Sequence, residues 1–210
     1  MMRSDFGLYL IITNPFLPYK KIAETAVKNN VRYLQLREKA LSDREILRAA
    51  GEIMSITEGT ETRFVLNDRA DLAYLCGADG LHLGQDDISL TDAKTICREK
   101  VSVFGLSTHT LSQVDEAIKQ KPDYIGFGPV FTTPAKAKPD PVTGTELIAE
   151  AVKRAGDVPV VVIGGIDGNN LISVLDAGAK NVCMVRYFMN SEQLEKRVKE
   201  TVKILNDYRW

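Results

Sequence analysis

Charged and polar side chains cluster after the second of several short apolar runs in this chain. The stretch reads Gln35-Leu36-Arg37-Glu38-Lys39, so Gln35, Arg37 and Lys39 share one alternation. Because alternate residues of a strand face the same side, one amide and two cations should point together. A protein core rarely accepts such groups unless an anion meets them. The spacing indicates a site for an anionic ligand. The alternative for Arg37 alone is a pair with a carboxylate of a neighbouring strand.

Two carboxylates follow the third and fourth apolar runs. Asp68 lies in Asn67-Asp68-Arg69, and Asp87 ends the stretch from His82 to Asp87. Mg²⁺ prefers one or two carboxylates together with water and phosphate oxygens. Helix capping by Asp68 and by Asp86 or Asp87 is the alternative interpretation. With Arg37 and Lys39 at the same mouth, a metal–diphosphate site becomes the favoured hypothesis, and Lys136, after the sixth run, would join it.

A pair of glycines, Gly164-Gly165, follows the seventh apolar run. Free backbone amides before a helix bind phosphate well, and barrels often place a phosphate after strands 7 and 8. Plain turn geometry is the alternative, since glycine is also the default residue of tight turns. The residues therefore indicate a site that binds two anionic groups, a diphosphate at one end and a phosphate at the other.

An alternation of strands and helices must position these residues. Apolar runs predict strands, and amphipathic stretches between them predict helices. Strict alternation implies parallel strands with helical crossovers, and eight units can close into a (β/α)8 barrel. We predict one such TIM-barrel domain over residues 1–210; an open doubly wound sheet is disfavoured because no Gly-x-Gly-x-x-Gly follows the first strand. The predicted strands are 8–12, 33–36, 63–66, 80–83, 101–106, 124–127, 160–163 and 181–185; the predicted helices are 22–28, 43–56, 71–75, 90–99, 111–119, 146–155, 170–177 and 192–208.

Composition excludes several other classes. The 210 residues carry 27 basic and 28 acidic side chains, a net charge of −1, which argues against nucleic-acid binding. The longest apolar run, 158–163, is far shorter than the roughly 20 residues of a membrane helix. The start has no apolar signal-peptide core, so a cytoplasmic location is expected. The three cysteines and two histidines form no metal-ligand pattern and are interpreted as packed thiols and isolated imidazoles.

Six sequence blocks, in order, carry a resemblance to a known family. They are Gln-Leu-Arg-Glu-Lys (35–39), Asn-Asp-Arg (67–69), Asp-Gly-Leu-His-Leu-Gly-Gln-Asp-Asp (79–87), Gly-Leu-Ser-Thr-His-Thr (105–110), Asp-Tyr-Ile-Gly-Phe-Gly-Pro-Val-Phe (123–131) and Ile-Gly-Gly-Ile (163–166). Over nearly its full length the chain resembles the thiamine-phosphate synthases, also called thiamine-phosphate pyrophosphorylases. Each block alone is modest, but the ordered set is specific.

The resemblance implies a transferase of thiamine biosynthesis. Its members join 4-amino-2-methyl-5-hydroxymethylpyrimidine diphosphate to a thiazole phosphate, or to its carboxylated tautomer, and release pyrophosphate with the help of Mg²⁺. Diphosphate would depart first, and the thiazole nitrogen would attack the resulting carbocation. Lys39, Lys136 and Ser107 would be catalytic. The resemblance assigns the remaining roles by position: Gln35, Arg37, Lys39, Asn67, Ser107 and Lys136 to the pyrimidine diphosphate, Thr133, Ala135, Gly164, Gly165, Val185 and Arg186 to the thiazole phosphate, and Asp68 and Asp87 to the metal.

Two positions depart from the family pattern. Thr-x-Thr-Lys is usual after strand 6, but this chain has Ala135 before Lys136; Val-Ser-Ala is usual after strand 8, but here Arg186 follows Val185. Arg186 either compensates with a charged, bidentate phosphate contact or fills the pocket and changes the substrate. The changes keep open a non-catalytic phosphate-binding barrel.

A thiazole tautomerase of the same fold is the other alternative function. That group typically lacks the strand 2 lysine and the Gly-Gln-x-Asp motif, whereas this chain has Lys39 and Gly84-Gln85-Asp86-Asp87. The expected partners are small phosphorylated molecules. The sequence leaves the oligomeric state open, a homo-oligomer included.

Overall fold

Eight parallel strands form one sheet whose neighbours follow the order of the chain. The computed structural model describes residues 5–133 and 141–208. The first and last strands meet through a parallel bridge between Leu8 and Val182 and through the Val182 N–H bonded to the Gly7 carbonyl at 2.9 Å, so the sheet closes into a barrel. The predicted (β/α)8 fold is confirmed. The strands are β1 Tyr9–Ile12, β2 Tyr33–Leu36, β3 Arg63–Asn67, β4 Gly80–Leu83, β5 Val103–Thr108, β6 Tyr124–Phe127, β7 Val160–Ile163 and β8 Asn181–Cys183.

Helices follow each strand and cover the outside of the barrel. Within the described part of the chain they are α1 Tyr19–Lys28, α2 Asp43–Thr57, α3 Ala70–Cys76, α4 Leu90–Cys97, α5 Leu111–Lys119, α6 Ile148–Ala155, α7 Leu171–Asp176, α8 Val185–Met189 and α9 Leu194–Asp207. Local cap motifs fix the start of α2 and the end of α3. Ser42 and Glu45 form a reciprocal capping box, and Gly77 ends α3 in the left-handed conformation.

The prediction for strand 8 was wrong at its end. The strand stops at Cys183, and Val185 and Arg186 belong to the first turn of the short helix α8. The apolar run continues past the strand because Phe188 and Met189 of α8 are themselves buried, at 1% and 2% exposure. Strand 5 also lies two residues further along than the predicted 101–106. That residues 1–210 form one domain stays a prediction.

Two apolar layers follow from the alternation of strand residues. One set packs inside the barrel, where Tyr9, Tyr33, Val65, Tyr124 and Val161 form a cluster. The other parity faces the helices and joins the larger core. On β2, Leu34 and Leu36 face the helices, while Tyr33 belongs to the inner cluster. The same alternation turns Gln35 inward, as its sequence parity predicted.

Gly105 makes room for the ring of Tyr124 inside the barrel. A methyl group at position 105 would overlap the phenol ring, whose Oη would lie 2.5 Å away. We expect Gly105→Ala to destabilise the fold by roughly 1–3 kcal/mol, the usual cost of overpacking. Thermal or chemical unfolding measures the effect. Gly51→Ala in α2 is the matched control, because no atom lies near its added methyl and helical alanine should stabilise by about 0.4–1 kcal/mol. Equal stability of the two variants would contradict the packing argument.

Candidate active site

A cavity of about 330 Å³ opens at the carboxyl ends of the strands. That end is where barrels of this class place their active sites. The structure brings together at this cavity most of the predicted ligand-binding residues. They are Gln35, Arg37, Asn67, Ser107, Thr133, Gly164, Gly165, Val185 and Arg186. The predicted diphosphate and phosphate ends therefore line one space.

Gln35 and Arg37 present unsatisfied polar groups to this cavity. Gln35 is 1% exposed, and its Oε1 has no hydrogen-bond partner, whereas its Nε2 donates to the Tyr9 hydroxyl at 3.0 Å. The side chain of Arg37 forms no hydrogen bond or ion pair with any residue that the structure describes, so the predicted alternative of a structural ion pair finds no partner there. A buried acceptor and an unpaired cation are groups that a ligand should complete.

Lys39 and Asp68 line a pocket beside the cavity, and Asp87 lies close enough to interact electrostatically with both. Lys39 Nζ lies 3.0 Å from Asp68 Oδ2, and Asn67 lines both the pocket and the cavity. The carboxylates of Asp68 and Asp87 lie close enough to interact electrostatically. Burial and the neighbouring Asp68 raise the pKa of Asp87 above its usual value. Asp87 also accepts a 2.6 Å hydrogen bond from the Gly84 N–H.

The capping interpretation of these aspartates was wrong. Helix α3 has Arg69 at its N-cap with no side-chain cap, and helix α4 is capped by Ser89, whose Oγ accepts from the Asp92 N–H at 3.1 Å. Among the described residues no group of three or more metal-ligating side chains is present. Two facing carboxylates nevertheless fit Mg²⁺, because this ion usually takes one or two protein carboxylates and fills its shell with water and phosphate oxygens.

The Gly164-Gly165 loop combines turn geometry with open amides. Both glycines have positive φ, 107° and 66°, and a Cβ at Gly165 would lie 2.7 Å from Phe131 Cβ. The turn interpretation therefore holds for the backbone. Asn170 fixes the loop by donating to the Gly165 carbonyl at 3.0 Å. The Gly165 N–H forms no hydrogen bond within the described residues, which leaves it able to donate to a phosphate oxygen.

Arg186 reaches the cavity from the first turn of α8. It is exposed, and its side chain forms no ion pair or hydrogen bond within the described residues. Its neighbour Tyr187 is held in place instead, with the Arg197 guanidinium 4.5 Å from the ring centre. The cation at position 186 is thus available to an anionic ligand on the same side as the Gly164-Gly165 loop.

Two predicted residues, Ala135 and Lys136, lie outside the described residues. Their roles stay predictions. The cysteines Cys97 and Cys183 are buried and Cys76 is half-buried, all as free thiols. Burial raises the pKa of all three thiols, which disfavours the reactive thiolate.

The sequence analysis did not identify three residues that are candidates for a functional role. Tyr9, Tyr124 and His82 line up inside the barrel between Gln35 and Ser107, although the sequence suggested an isolated histidine and two apolar strand residues. One signal could have found His82. It has the inward parity of β4, two residues after the small Gly80, at a position where a soluble barrel core seldom places imidazole.

A (β/α)8 barrel that carries cations, carboxylates and a Gly-Gly loop at its carboxyl end is typical of the barrels that bind phosphorylated ligands. The family model of thiamine monophosphate synthase matches residues 8–188. The thiamine-phosphate synthase of Dictyoglomus thermophilum is 35% identical over 209 residues, covering 98% of this chain and 93% of the relative. That of Halalkalibacterium halodurans is 37% identical over 196 residues, covering 91% of each.

A solved structure agrees with the sequence relatives. Thiamine phosphate pyrophosphorylase from Pyrococcus furiosus has a TM-score of 0.85 to this chain at 29% identity, with 98% of each chain covered. The chain belongs to the thiamine monophosphate synthase family. The resemblance carried by the six sequence blocks, and the transferase class that it implies, are confirmed. These relatives give no support to the tautomerase alternative. No helix among the described residues is both long and apolar enough to span a bilayer.

Proposed function

We propose that this chain condenses 4-amino-2-methyl-5-hydroxymethylpyrimidine diphosphate with a thiazole phosphate to give thiamine phosphate and pyrophosphate. The observation that carries the proposal is the position of Arg37, which has no side-chain partner in the described part of the chain, beside Lys39, Asp68 and Asp87 at the ends of adjacent strands. Cations and facing carboxylates at one mouth suit a diphosphate that is held by protein and by a divalent ion.

The proposed reaction breaks the C–O bond between the pyrimidine methylene and the diphosphate. The electron pair leaves with the diphosphate, and the lone pair of the thiazole nitrogen then forms the new C–N bond to the methylene carbon. Negative charge grows on the departing oxygen, so fixed positive groups aimed at it lower the barrier. Arg37 and Lys39 serve this role, with Lys136 as a further predicted cation. No side-chain nucleophile takes part.

Asp68 and Asp87 are proposed to hold Mg²⁺. When bound, the ion would neutralise charge on the leaving diphosphate. The chain's own residues do the remaining work on this substrate. Gln35 and Ser107 orient the pyrimidine, Asn67 lies between the cavity and the charged pocket, and Lys39 holds Asp68 in place through their ion pair.

The second substrate is proposed to bind with its phosphate between the β7 loop and α8. Gly164, Gly165, Val185, Arg186 and Thr133 all line the cavity. Ala135 is assigned here by resemblance alone. Neither the Gly165 N–H nor the Arg186 guanidinium has a partner within the described residues, which supports a phosphate contact, with Arg186 replacing the serine that is usual in the family.

Replacing Arg186 by serine tests this contact. We expect the KM for the thiazole phosphate to rise by about tenfold to a hundredfold, because a hydrogen bond to a charged group contributes roughly 1.5–3 kcal/mol. The KM for the pyrimidine diphosphate should stay unchanged. Arg98→Ser is the matched control, since Arg98 is exposed at the far end of α4. An unchanged KM for the thiazole phosphate in Arg186→Ser would show that Arg186 does not bind its phosphate.

A turnover assay tests the function as a whole. Purified protein is mixed with both substrates, first with Mg²⁺ and then with EDTA, and thiamine phosphate is quantified. Magnesium-dependent product is the expected result. Absence of product from folded protein that binds the pyrimidine diphosphate would overturn the proposed second substrate, while isomerisation of the thiazole phosphate without a diphosphate partner would favour a tautomerase. Binding of both substrates without turnover would favour the non-catalytic barrel. The family match supports small phosphorylated molecules as the partners. A cytoplasmic location stays a prediction from the sequence, and the oligomeric state, a homo-oligomer included, stays open.

A further inference from the structure

A continuous chain of hydrogen bonds crosses the barrel interior beneath the cavity. Gln35 Nε2 lies 3.0 Å from the Tyr9 hydroxyl, which lies 2.7 Å from the Tyr124 hydroxyl. Tyr124 Oη lies 2.9 Å from His82 Nδ1, and His82 Nε2 lies 2.9 Å from Ser107 Oγ. The two ends, Gln35 and Ser107, both line the cavity. These hydrogen bonds therefore connect two cavity-lining residues, Gln35 and Ser107, through three residues that take part in no proposed catalytic step.

The first link fixes the direction of every later one. An amide Nε2 only donates, so Tyr9 Oη accepts from Gln35 and must place its own proton elsewhere. The one acceptor bonded to Tyr9 among the described residues is Tyr124 Oη. Tyr124 must then donate to His82 Nδ1. Neutral His82 consequently carries its proton on Nε2 and donates it to Ser107 Oγ, because the bond made by one ring nitrogen sets the tautomer.

The two ends of the hydrogen-bond chain, Gln35 and Ser107, thus have opposite and defined roles. At one end Gln35 lines the cavity, and its Oε1 is a buried acceptor without a partner among the described residues. At the other end Ser107 has accepted a bond from His82, so its hydroxyl proton remains available to the cavity. A ligand that bridges the two ends needs an N–H donor opposite Gln35 and an acceptor opposite Ser107.

We propose that Tyr9, Tyr124 and His82 are positioning residues, which together hold Gln35 as a hydrogen-bond acceptor and Ser107 as a donor toward the pyrimidine substrate. This inference rests on the proposed function, since it explains how that site selects an amino group over a carbonyl group at one ring position. It assigns to the inner barrel core a part in substrate choice in addition to packing.

The residues around the hydrogen-bond chain preserve the direction in which its members donate. Burial raises the pKa of both Tyr9 and Tyr124 well above the ordinary value, so each phenol keeps the single proton that it passes on. The rings are also fixed by contact, with centroids 5.4 Å apart for Tyr9 and Tyr124 and 5.4 Å apart for His82 and Tyr124. Gly105 leaves the space that the Tyr124 ring fills.

Removal of the Tyr9 hydroxyl tests the Gln35 end. In Tyr9→Phe the amide of Gln35 loses the acceptor that orients it, so it can turn its Nε2 toward the cavity. Binding of the 4-amino pyrimidine diphosphate and of its 4-oxo analogue is measured by calorimetry. The unchanged protein should prefer the amino compound, and the variant should lose on the order of tenfold of that preference, the value of one mismatched buried hydrogen bond.

Tyr33→Phe is the matched control. Tyr33 stacks on Tyr9 with ring centroids 5.8 Å apart, is also buried, and has no hydrogen bond through its hydroxyl within the described residues. Its removal should leave the amino preference unchanged. An amino preference in Tyr9→Phe equal to that of the unchanged protein overturns the inference. Equal loss of preference in both variants also overturns it, since that result reports general damage to the core.

Removal of the Tyr124 hydroxyl tests the Ser107 end and does not depend on how well Tyr9→Phe folds. Tyr124→Phe leaves His82 Nδ1 without its donor, so the ring can take the other tautomer and accept the Ser107 proton. Binding of the pyrimidine diphosphate should weaken about tenfold. In a Ser107→Ala background the same change should add little, because the proton at issue is already absent. Additive effects overturn the inference.

The measurements separate this inference from the proposed function. If the unchanged protein binds neither pyrimidine diphosphate, the proposed substrate fails and the inference fails with it. If the unchanged protein makes thiamine phosphate and the variants keep its amino preference and show additive effects, only the inference fails.

Discussion

Asp87→Asn should lower the rate of thiamine phosphate formation by on the order of 10²–10³ without lowering the thermal stability of the metal-free protein. Activity falls because one of the two proposed Mg²⁺ ligands loses its charge. Stability is kept because the facing Asp68 repels a second carboxylate, the repulsion that helps to raise the pKa of Asp87. The asparagine Oδ1 can still accept the hydrogen bond from the Gly84 N–H. Magnesium titrations of turnover and metal-free thermal unfolding are the two measurements.

Asp86→Asn is the control for this result. Asp86 is the adjacent residue, is exposed, and has no side-chain hydrogen bond or ion pair within the described residues. It removes the same charge from the same loop, so its turnover and magnesium dependence should match those of the unchanged protein. A similar loss of activity in both variants would mean that loop charge, and not metal ligation at Asp87, supports the reaction. Normal magnesium dependence in Asp87→Asn would remove that residue from the proposed metal site.

Arg37→Gln should have the second large effect. We expect kcat/KM for the pyrimidine diphosphate to fall by on the order of 10²–10³, since the proposed role of the guanidinium is to stabilise the charge that develops on the diphosphate. The stability of the folded protein should be almost unchanged, because the Arg37 side chain has no ion-pair partner among the described residues. The backbone hydrogen bond from the residue 37 N–H to the Ile12 carbonyl, at 2.8 Å, is retained. Steady-state kinetics with each substrate varied measures the change in kcat/KM, and thermal unfolding measures the stability.

The control for Arg37 is Arg98→Gln. Arg98 is an exposed arginine at the carboxyl end of α4, away from the cavity. Its variant should retain full activity. A large loss of stability in Arg37→Gln, with kcat/KM otherwise normal, would show that the arginine belongs to the fold and not to the diphosphate site.

Much of the architecture could be read from the chain because its pattern is local. Short runs buried on both faces, alternating with amphipathic stretches, leave few arrangements other than parallel strands with helical crossovers. The end of strand 8 could not be read in this way. Val185 continues the apolar run of β8, but Phe188 and Met189 pack against the helical layer, so burial continues while the backbone changes from strand to helix.

The site residues could be predicted from their positions in the strand pattern, but the contacts between them could not. Gln35, within β2, and Arg37, directly after it, were placed at the mouth because they share the inward parity of the strand, and the structure puts both at the cavity. That Asp68 faces Asp87 and pairs with Lys39 depends on the neighbouring strand ends being brought side by side. The capping alternative was plausible in sequence because aspartate does cap helices, and only the positions of Arg69 and Ser89 exclude it.

The sequence by itself determined the barrel, the end of it that carries the chemistry, and the family, because each depends on the order and type of residues along the chain. The tertiary structure alone decided which polar groups already have partners. Tyr9, Tyr124 and His82 lie on strands 1, 6 and 4, and closure of the barrel brings them within hydrogen-bonding distance of one another. Their distances, and the absence of partners for Gln35 Oε1 and the Arg37 side chain within the described residues, depend on barrel closure, which no local pattern encodes.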